Sequence, residues 1–479
     1  MSPAADALWA AIARHGRRPA LRGNGLELSY AQLDTAIAER SAQLDTLQAH
    51  RVALALDNGL DWAVWDLALL ATDRVCVPLP GFFSPGQQAH VLDSAGIDTL
   101  IGDIGETARA AGFREIAPGI FRRQPGQVPD LPEGTVKITF TSGTTGQPKG
   151  VCLDAAAQLA VAHSLAGLSA ATRVERHLCV LPQATLLENI AGIYAPLLAG
   201  ACIDLPGLEE VGLRGASGLD LPRFLQTLNA HRPHSLILLP QLLLALVSAA
   251  EHGQPLPDSL RFIAVGGGRV SPQLLERADA RGLPVFEGYG LSECASVVCL
   301  NTPAARRIGS VGRPLPHATI RLAADGEVEV RGPQLLGYLG EARTTRTWLP
   351  TGDLGHLDDG FLVLHGRKKH QFITAFGRNV NPEWVEAELT QQAPIAQAWL
   401  YGEALAENVA VIVPRRLDCS DVELAAAIAT VNAAMPDYAR AHRWLRAHAP
   451  FTPTNGLLTA NGRLRRSALQ AHYATEINA

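Results

Sequence analysis

Ten residues, Thr141-Ser142-Gly143-Thr144-Thr145-Gly146-Gln147-Pro148-Lys149-Gly150, bring four hydroxyls, three glycines and one cation into a single stretch. Gly143 and Gly146 allow backbone geometries in which amide N–H groups point into a concave nest. Thr141, Ser142, Thr144 and Thr145 add O–H donors, and Lys149 adds a mobile positive charge. Such a set suits a polyphosphate. The spacing is not that of the ordinary P-loop, G-x-x-x-x-G-K-[ST], because Gly146 and Lys149 are three apart. Far downstream, Glu287-Gly288-Tyr289-Gly290-Leu291-Ser292-Glu293 gathers an aromatic ring, a hydroxyl and a carboxylate between glycines. Together these can stack a base, contact a phosphate and ligate a divalent ion.

The surrounding chain reads as scaffold for these stretches. Val136-Lys137-Ile138-Thr139-Phe140 has the β-branched, alternating character of a strand leading into the hydroxyl-rich turn. Before it, helices over Ala5–Arg14, from Tyr30 with Ser29 as cap, over Asp61–Ala71 and over His90–Ala95 alternate with strands. Those strands fall at Leu26–Leu28, Arg51–Leu56, Arg74–Leu79 and Leu100–Gly102. Residues 104–133, rich in Gly, Pro and Arg, read as a surface connection. After the turn come a helix over Asp154–Leu168, strands at Arg176–Pro182, Gly200–Leu205, Leu236–Leu239 and Leu260–Val265, and helices over Leu221–Ala230 and from Pro240. This alternation implies parallel sheet and an α/β fold. Short β segments with Gly/Pro turns from Gly309 onward suggest a small antiparallel barrel or sheet. Gly266-Gly267-Gly268 at a strand end lets a flat ligand approach the backbone.

Composition excludes several alternatives. With 479 residues, 47% hydrophobic and 18% charged, the chain can bury a large core and is expected to form two or three folding units. A net charge of −5 gives no electrostatic case for nucleic acid. Seven cysteines, odd in number and without C-x-x-C pairs, favour reduced, buried thiols and a cytoplasmic protein over a disulfide framework or zinc site. No signal peptide and no membrane span is expected. Of 41 Lys+Arg residues only Lys137, Lys149, Lys368 and Lys369 are lysines, so those in motif positions are conspicuous.

The phosphate stretch resembles the T-S-G-T-T-G-x-P-K-G loop of the adenylate-forming superfamily of acyl-CoA synthetases, aryl-acid ligases and adenylation domains. Tyr289–Glu293 resembles the family's Y-G-x-[ST]-E, Thr351-Gly352-Asp353 its T-G-D, and Gly366-Arg367-Lys368-Lys369 its G-R-x-[KD] hinge. Gly309–Pro316, Gly326–Pro333 and Gly337-Tyr338-Leu339 also match family segments. The resemblance implies a large α/β core with a small β-barrel at 1–366, a hinge at 367–370 and a mobile α+β cap at 371–479. It implies ATP, Mg2+ and a carboxylic acid as reactants, with CoA or a carrier-protein pantetheine as thiol acceptor. Nucleotide contacts fall to Thr141, Ser142, Gly143, Thr144, Thr145, Gly146, Lys149, Gly267, Gly268, Tyr289, Asp353 and Arg367. Glu293 would ligate the metal, Ser292 contact the α-phosphate and Lys369 act as pivot. Thr185, Glu188, Gly266 and Gly288 would line the acyl pocket, and Gly377 the pantetheine tunnel.

Two positions depart from the family pattern. Arg463 stands where the family has a lysine that bridges carboxylate and α-phosphate; arginine keeps the charge on a bulkier, planar head. In Leu181–Asn189, Thr185 replaces an aromatic or histidine, while a glutamate at Glu188 resembles long-chain fatty acyl-CoA synthetases. The stretch is otherwise apolar, so a fatty or aryl acid is the expected substrate. Competing outcomes for the same motifs are an adenylate consumed in lactone or amide formation, and a non-catalytic nucleotide- or acyl-binding relative.

Overall fold

The computed structural model describes residues 3–141, 148–215, 218–459 and 462–477. Two large sheets organise the first three-quarters of the chain. In the eight-stranded sheet, Lys137–Thr141, Val75–Pro78, Arg51–Ala55 and Thr99–Gly102 run parallel at the centre. The nine-stranded sheet has a parallel centre that includes Arg176–Leu178, Ser235–Leu238, Phe262–Val265 and Val285–Leu291. Connections by helix make this order possible, and the near-continuous apolar strands mark sheets covered on both faces.

The helix Leu60–Ala71 is buried almost all round, with Trp62, Val64, Trp65 and Leu67 within one continuous core. A helix of that character belongs inside the protein. Local signals set several of the boundaries. Ser29 and Ser84 each close a reciprocal capping box with a glutamine three residues on, Gln32 and Gln87. The second box starts its helix at Pro85, earlier than the periodicity suggests. Residues 104–133 are more than a surface connection. They contain the helix Glu106–Ala110 and a hairpin, Arg114–Ala117 with Ile120–Arg122, which extends the eight-stranded sheet at its edge. The arginines there obscure the alternation, while buried Phe113 and Ile120 anchor the segment.

A buried polar knot fixes the strand that carries the phosphate stretch. Lys137 Nζ donates to Asp66 Oδ1 (2.7 Å), to Tyr194 Oη (2.9 Å) and to Asn189 Oδ1. Tyr194 Oη and Asn189 Nδ2 in turn donate to Asp66 Oδ2 at 2.6 and 2.8 Å. An ion pair this deep is held by the completeness of its hydrogen bonds, since removing one partner of such a pair typically costs about 3–5 kcal/mol. The knot ties three separated segments together at the base of the strand that ends at Thr141.

The barrel or sheet expected after Gly309 takes the form of four antiparallel strands, Thr319–Leu322, Glu327–Arg331, Leu349–Asp358 and Phe361–Arg367. Beyond Arg367 the strands belong to separate sheets. A hairpin, Phe372–Ile373 with Asn379–Val380, precedes a three-stranded sheet of Ile395–Tyr401, Asn408–Pro414 and Ala441–Arg446. Helices Pro382–Thr390 and Asp421–Ala434 cover that sheet through their own core cluster. No helix among the described residues is long and apolar enough to cross a membrane.

Candidate active site

A cavity of about 1630 Å³ lies between the two large sheets, the four-stranded sheet and the C-terminal segment. Thr141, Thr185, Gly266, Gly267, Gly268, Gly288, Tyr289, Ser292, Asp353, Arg367 and Arg463 all line it. Residues from distant parts of the sequence thus border one cavity. Ser142, Gly143, Thr144, Thr145 and Gly146 lie outside the described residues.

The phosphate stretch is positioned by its flanks. Lys137–Thr141 and Lys149–Leu153 pair antiparallel, with Thr141 opposite Lys149, so the chain leaves and returns at one point. His90 Nε2 lies 3.1 Å from the Pro148 carbonyl. At Gly150 a side chain would meet Ile138 Cγ2 at 2.8 Å and Leu339 Cβ at 3.0 Å, so the glycine lets the segment Gly337–Tyr338 pair alongside. That pairing brings Tyr338 between two expected site residues. Its hydroxyl donates to Glu293 Oε1 (3.0 Å), and Lys149 Nζ sits 5.5 Å from its ring centroid. Lys149 and Glu293 do not themselves line the cavity; Tyr338 couples them at its margin. The sequence assigns Tyr338 no role beyond its place in a motif. An edge strand of two residues, distant in sequence, offers no local signal.

The downstream segment forms a hairpin, Val285–Leu291 with Ser296–Leu300, with an irregularity between Tyr289 and Gly290. A Cβ at Gly290 would lie 1.8 Å from the Ser296 carbonyl oxygen, so only glycine fits there. Tyr289 Oη donates to Asp353 Oδ2 (2.6 Å), and Arg367 Nε pairs with Asp353 Oδ1 (2.8 Å). Burial holds the Asp353 carboxyl above its ordinary range against the opposing pull of Arg367 and Tyr289. Burial, then the adjacent carboxylate, pushes the Tyr289 phenol well up. Asp353 is set by a turn in which Gly352 has φ +72° and the Thr351 hydroxyl accepts from the Asp353 amide at 3.1 Å. A neighbouring strand register puts Asp353 opposite Arg367.

Arg463 arrives from the C-terminal segment. Thr459 N donates to the Arg463 carbonyl (2.7 Å), and Arg463 N to Thr459 Oγ1 (3.1 Å), a tight turn that presents the guanidinium. Its NH2 reaches the Gly267 carbonyl at 3.5 Å. The residue is exposed and lines the cavity. Enclosure and the Arg367 charge lower its pKa, while Glu383, Glu293 and Asp353 oppose them. Lys369 is lowered in the same way, by burial first, then by Arg367 and Arg463. Arg367 and Arg463 line the cavity and Lys369 lies close to both, a concentration of positive charge that suits an anion.

Other contacts join the C-terminal segment to the core in this arrangement. Ser271 Oγ donates to Glu388 Oε2 (2.8 Å), and Asn381 Nδ2 donates to the His365 carbonyl. Lys368 pairs at the surface with Asp325 and Glu327, and Lys369 stands beside the cavity without lining it. Gly377 is placed elsewhere. It lies in an exposed turn of the hairpin Phe372–Val380, with φ +70°, and is not part of the cavity wall.

The acyl side departs from expectation at one residue. Thr185 lines the cavity, with its hydroxyl donating to the Pro182 carbonyl at 2.7 Å. The walls nearby are apolar: Leu181, Ala184, Leu187, Ala191, Ile237 and Ala264. Glu188 does not line the cavity. A π-helix, Glu188–Tyr194, begins there, and the carboxylate is fully buried against His177.

Glu287, given no role by the sequence, is also in the wall, and burial pushes its carboxyl up to about 8 despite the nearby Arg269. A carboxyl raised in the folded state destabilises the fold progressively as pH rises from its ordinary 4.5 towards 8, because only the unfolded chain ionises freely. Glu287→Gln is therefore expected to raise the melting temperature at pH 8 by several degrees, a stability gain of about 1–3 kcal/mol. The advantage should vanish near pH 4.5. Differential scanning calorimetry across that range checks it; a pH-independent difference would mean the carboxyl is not held neutral.

The fold recurs among known proteins. A family model described as AMP-binding enzyme matches residues 8–339, and one described as AMP-binding enzyme C-terminal domain matches residues 369–479. The long-chain-fatty-acid–CoA ligase FadD15 of Mycobacterium bovis is 26% identical, over 90% of this chain and 87% of its own. Among solved structures, the anthranilate CoA ligase AuaEII in complex with anthranoyl-AMP superposes with a TM-score of 0.80 at 19% identity, covering 98% of this chain and 96% of the other. The o-succinylbenzoate CoA synthetase MenE of Bacillus subtilis, in complex with the acyl-adenylate OSB-AMP, gives 0.79 at 23% identity over 97% of each chain.

Proposed function

The chain belongs to the AMP-binding enzyme family, and from that premise we propose that it is an AMP-forming acid–thiol ligase. It activates a carboxylic acid with ATP, releases pyrophosphate, and passes the acyl group to a thiol with release of AMP. The observation that carries this is that Arg367 and Arg463 line the same cavity as Thr141, Tyr289, Ser292 and Asp353.

In this reading Asp353 accepts the ribose hydroxyls, Tyr289 lies against the adenine, and Gly267 and Gly268 admit the base edge-on. Lys149 and the hydroxyls before it hold the outer phosphates. Arg463 and Ser292 face the α-phosphate and offset the charge that develops there when the acid carboxylate attacks phosphorus and the bond to pyrophosphate breaks. Fixed donors of this kind act without reorganisation. Among the described residues Glu293 has one side-chain partner, on Oε1. A carboxylate so held fits a Mg2+ ligand; the ion, when bound, would neutralise phosphate charge. For the second step, 371–479 would turn as a unit about 367–370, withdrawing Arg463 and bringing Gly377 towards the acyl end. CoA is the acceptor we assign, since FadD15, AuaEII and MenE are CoA ligases. The apolar wall favours a fatty or aryl acid.

The test is AMP release over a panel of fatty and aryl acids, with and without CoA. AMP formation that needs both acid and CoA is expected. Adenylate that accumulates despite CoA would replace the acceptor. Absence of pyrophosphate exchange with every acid would leave a nucleotide-binding relative instead of an enzyme.

A further inference from the structure

Where His177 enters the wall of the cavity, away from the residues assigned to the nucleotide, three potential ligand atoms meet. His177 and Cys179 stand on or just past the strand Arg176–Leu178, and Glu188 opens the π-helix that follows. One ligand atom from each lies within 4.8 Å of the others, and all three side chains are buried. His177 Nε2 is 3.6 Å from Glu188 Oε1. Glu188 is 0% exposed, and among the described residues neither of its oxygens has a hydrogen-bond partner; nor does His177 Nε2. A carboxylate at that depth whose one ion-pair partner is an imidazole 3.6 Å away, with the Cys179 thiol turned to the Gly192 carbonyl at 3.6 Å, is expensive, and such a group calls for a bound species to explain it.

Three features suit a cation. His177 Nδ1 lies 2.9 Å from Ser235 Oγ, which fixes the ring and turns Nε2 towards Glu188, the arrangement in which a metal-bound histidine is held from behind. A Cβ at Gly192 would come within 2.8 Å of Glu188 Oε1 and 3.0 Å of His177 Nε2, so the glycine keeps the space between them open. One thiolate and one carboxylate together carry the charge that neutralises a divalent ion, and neutral imidazole completes the set. We propose that His177, Cys179 and Glu188 bind a zinc-class divalent cation that stitches this strand to the π-helix. Bonds of roughly 2.0–2.3 Å would close the present separations, which reach no more than 4.8 Å, to the spacing of tetrahedral ligands. The cysteine count gives no hint of this, since the ligands follow H-x-C and a glutamate nine residues on, a spacing set by the strand and the π-helix together.

The test uses the full-length protein. After purification without chelator, metal analysis is expected to find about one zinc per chain. Cys179→Ser, Glu188→Gln and His177→Gln should each lower that content at least tenfold, whereas Cys419→Ser, in the C-terminal core, should not. Cobalt reconstitution should give a thiolate-to-metal absorption band that Cys179→Ser lacks. If the variants fail to fold, the wild-type chain still decides: chelator should lower its melting temperature, and zinc restore it. Absence of zinc before and after reconstitution, with no response to chelator, overturns the proposal. So does zinc that persists in all three variants, because it would then be bound elsewhere.

Discussion

Arg463→Ala is expected to lower acid-dependent ATP–pyrophosphate exchange by about 10²–10³-fold, the loss seen when one preorganised donor to a developing oxyanion is removed. Arg463 reaches into the cavity wall from the C-terminal segment, 3.5 Å from the Gly267 carbonyl. The effect should be confined to the first half-reaction. Thiolysis of an acyl-adenylate supplied from outside should change little, because the proposed rotation carries Arg463 away before the thiol arrives. Arg463→Lys should keep most of the exchange rate, since charge and reach are conserved while the forked geometry is lost. Equal exchange rates in wild type, Arg463→Lys and Arg463→Ala would remove this residue from the mechanism.

The second large effect concerns Asp353. Its two oxygens receive Tyr289 and Arg367 at 2.6 and 2.8 Å. Asp353→Ala removes the acceptor for the ribose hydroxyls and strands a buried phenol and a guanidinium. Hydrogen bonds to charged groups contribute about 1.5–3 kcal/mol each, so kcat/KM for ATP should fall by about 10²-fold, mostly through KM. Asp353→Asn, which keeps one acceptor oxygen, should lose less. The discriminating measurement is the split: KM for the acid should move far less than KM for ATP. If both move equally, Asp353 holds the cavity wall and does not contact the nucleotide.

Asp353 is legible in the amino-acid sequence because it follows a Thr-Gly turn, whose geometry arises from short-range backbone chemistry. The strand entering the phosphate stretch, the Ser29 cap and the helix opened by Pro240 are legible for the same reason. Lys137 is not. A lysine in an alternating strand ordinarily marks a solvent face, and only the meeting of Asp66, Asn189 and Tyr194 makes its burial tolerable. Tyr338 is likewise hidden, because its hydroxyl finds its partner 45 residues away. Glu188 is hidden too: it opens a π-helix, for which the sequence carries no periodic signal, and its carboxylate packs against His177, eleven residues earlier.

All seven cysteines are free and buried. For an enzyme that hands its product to a sulfhydryl, this has a chemical advantage: none of its own sulfur competes for the activated carbonyl or traps the acceptor as a mixed disulfide. The native protein should therefore ignore maleimide, and any uptake of the reagent would clock how often the interior opens.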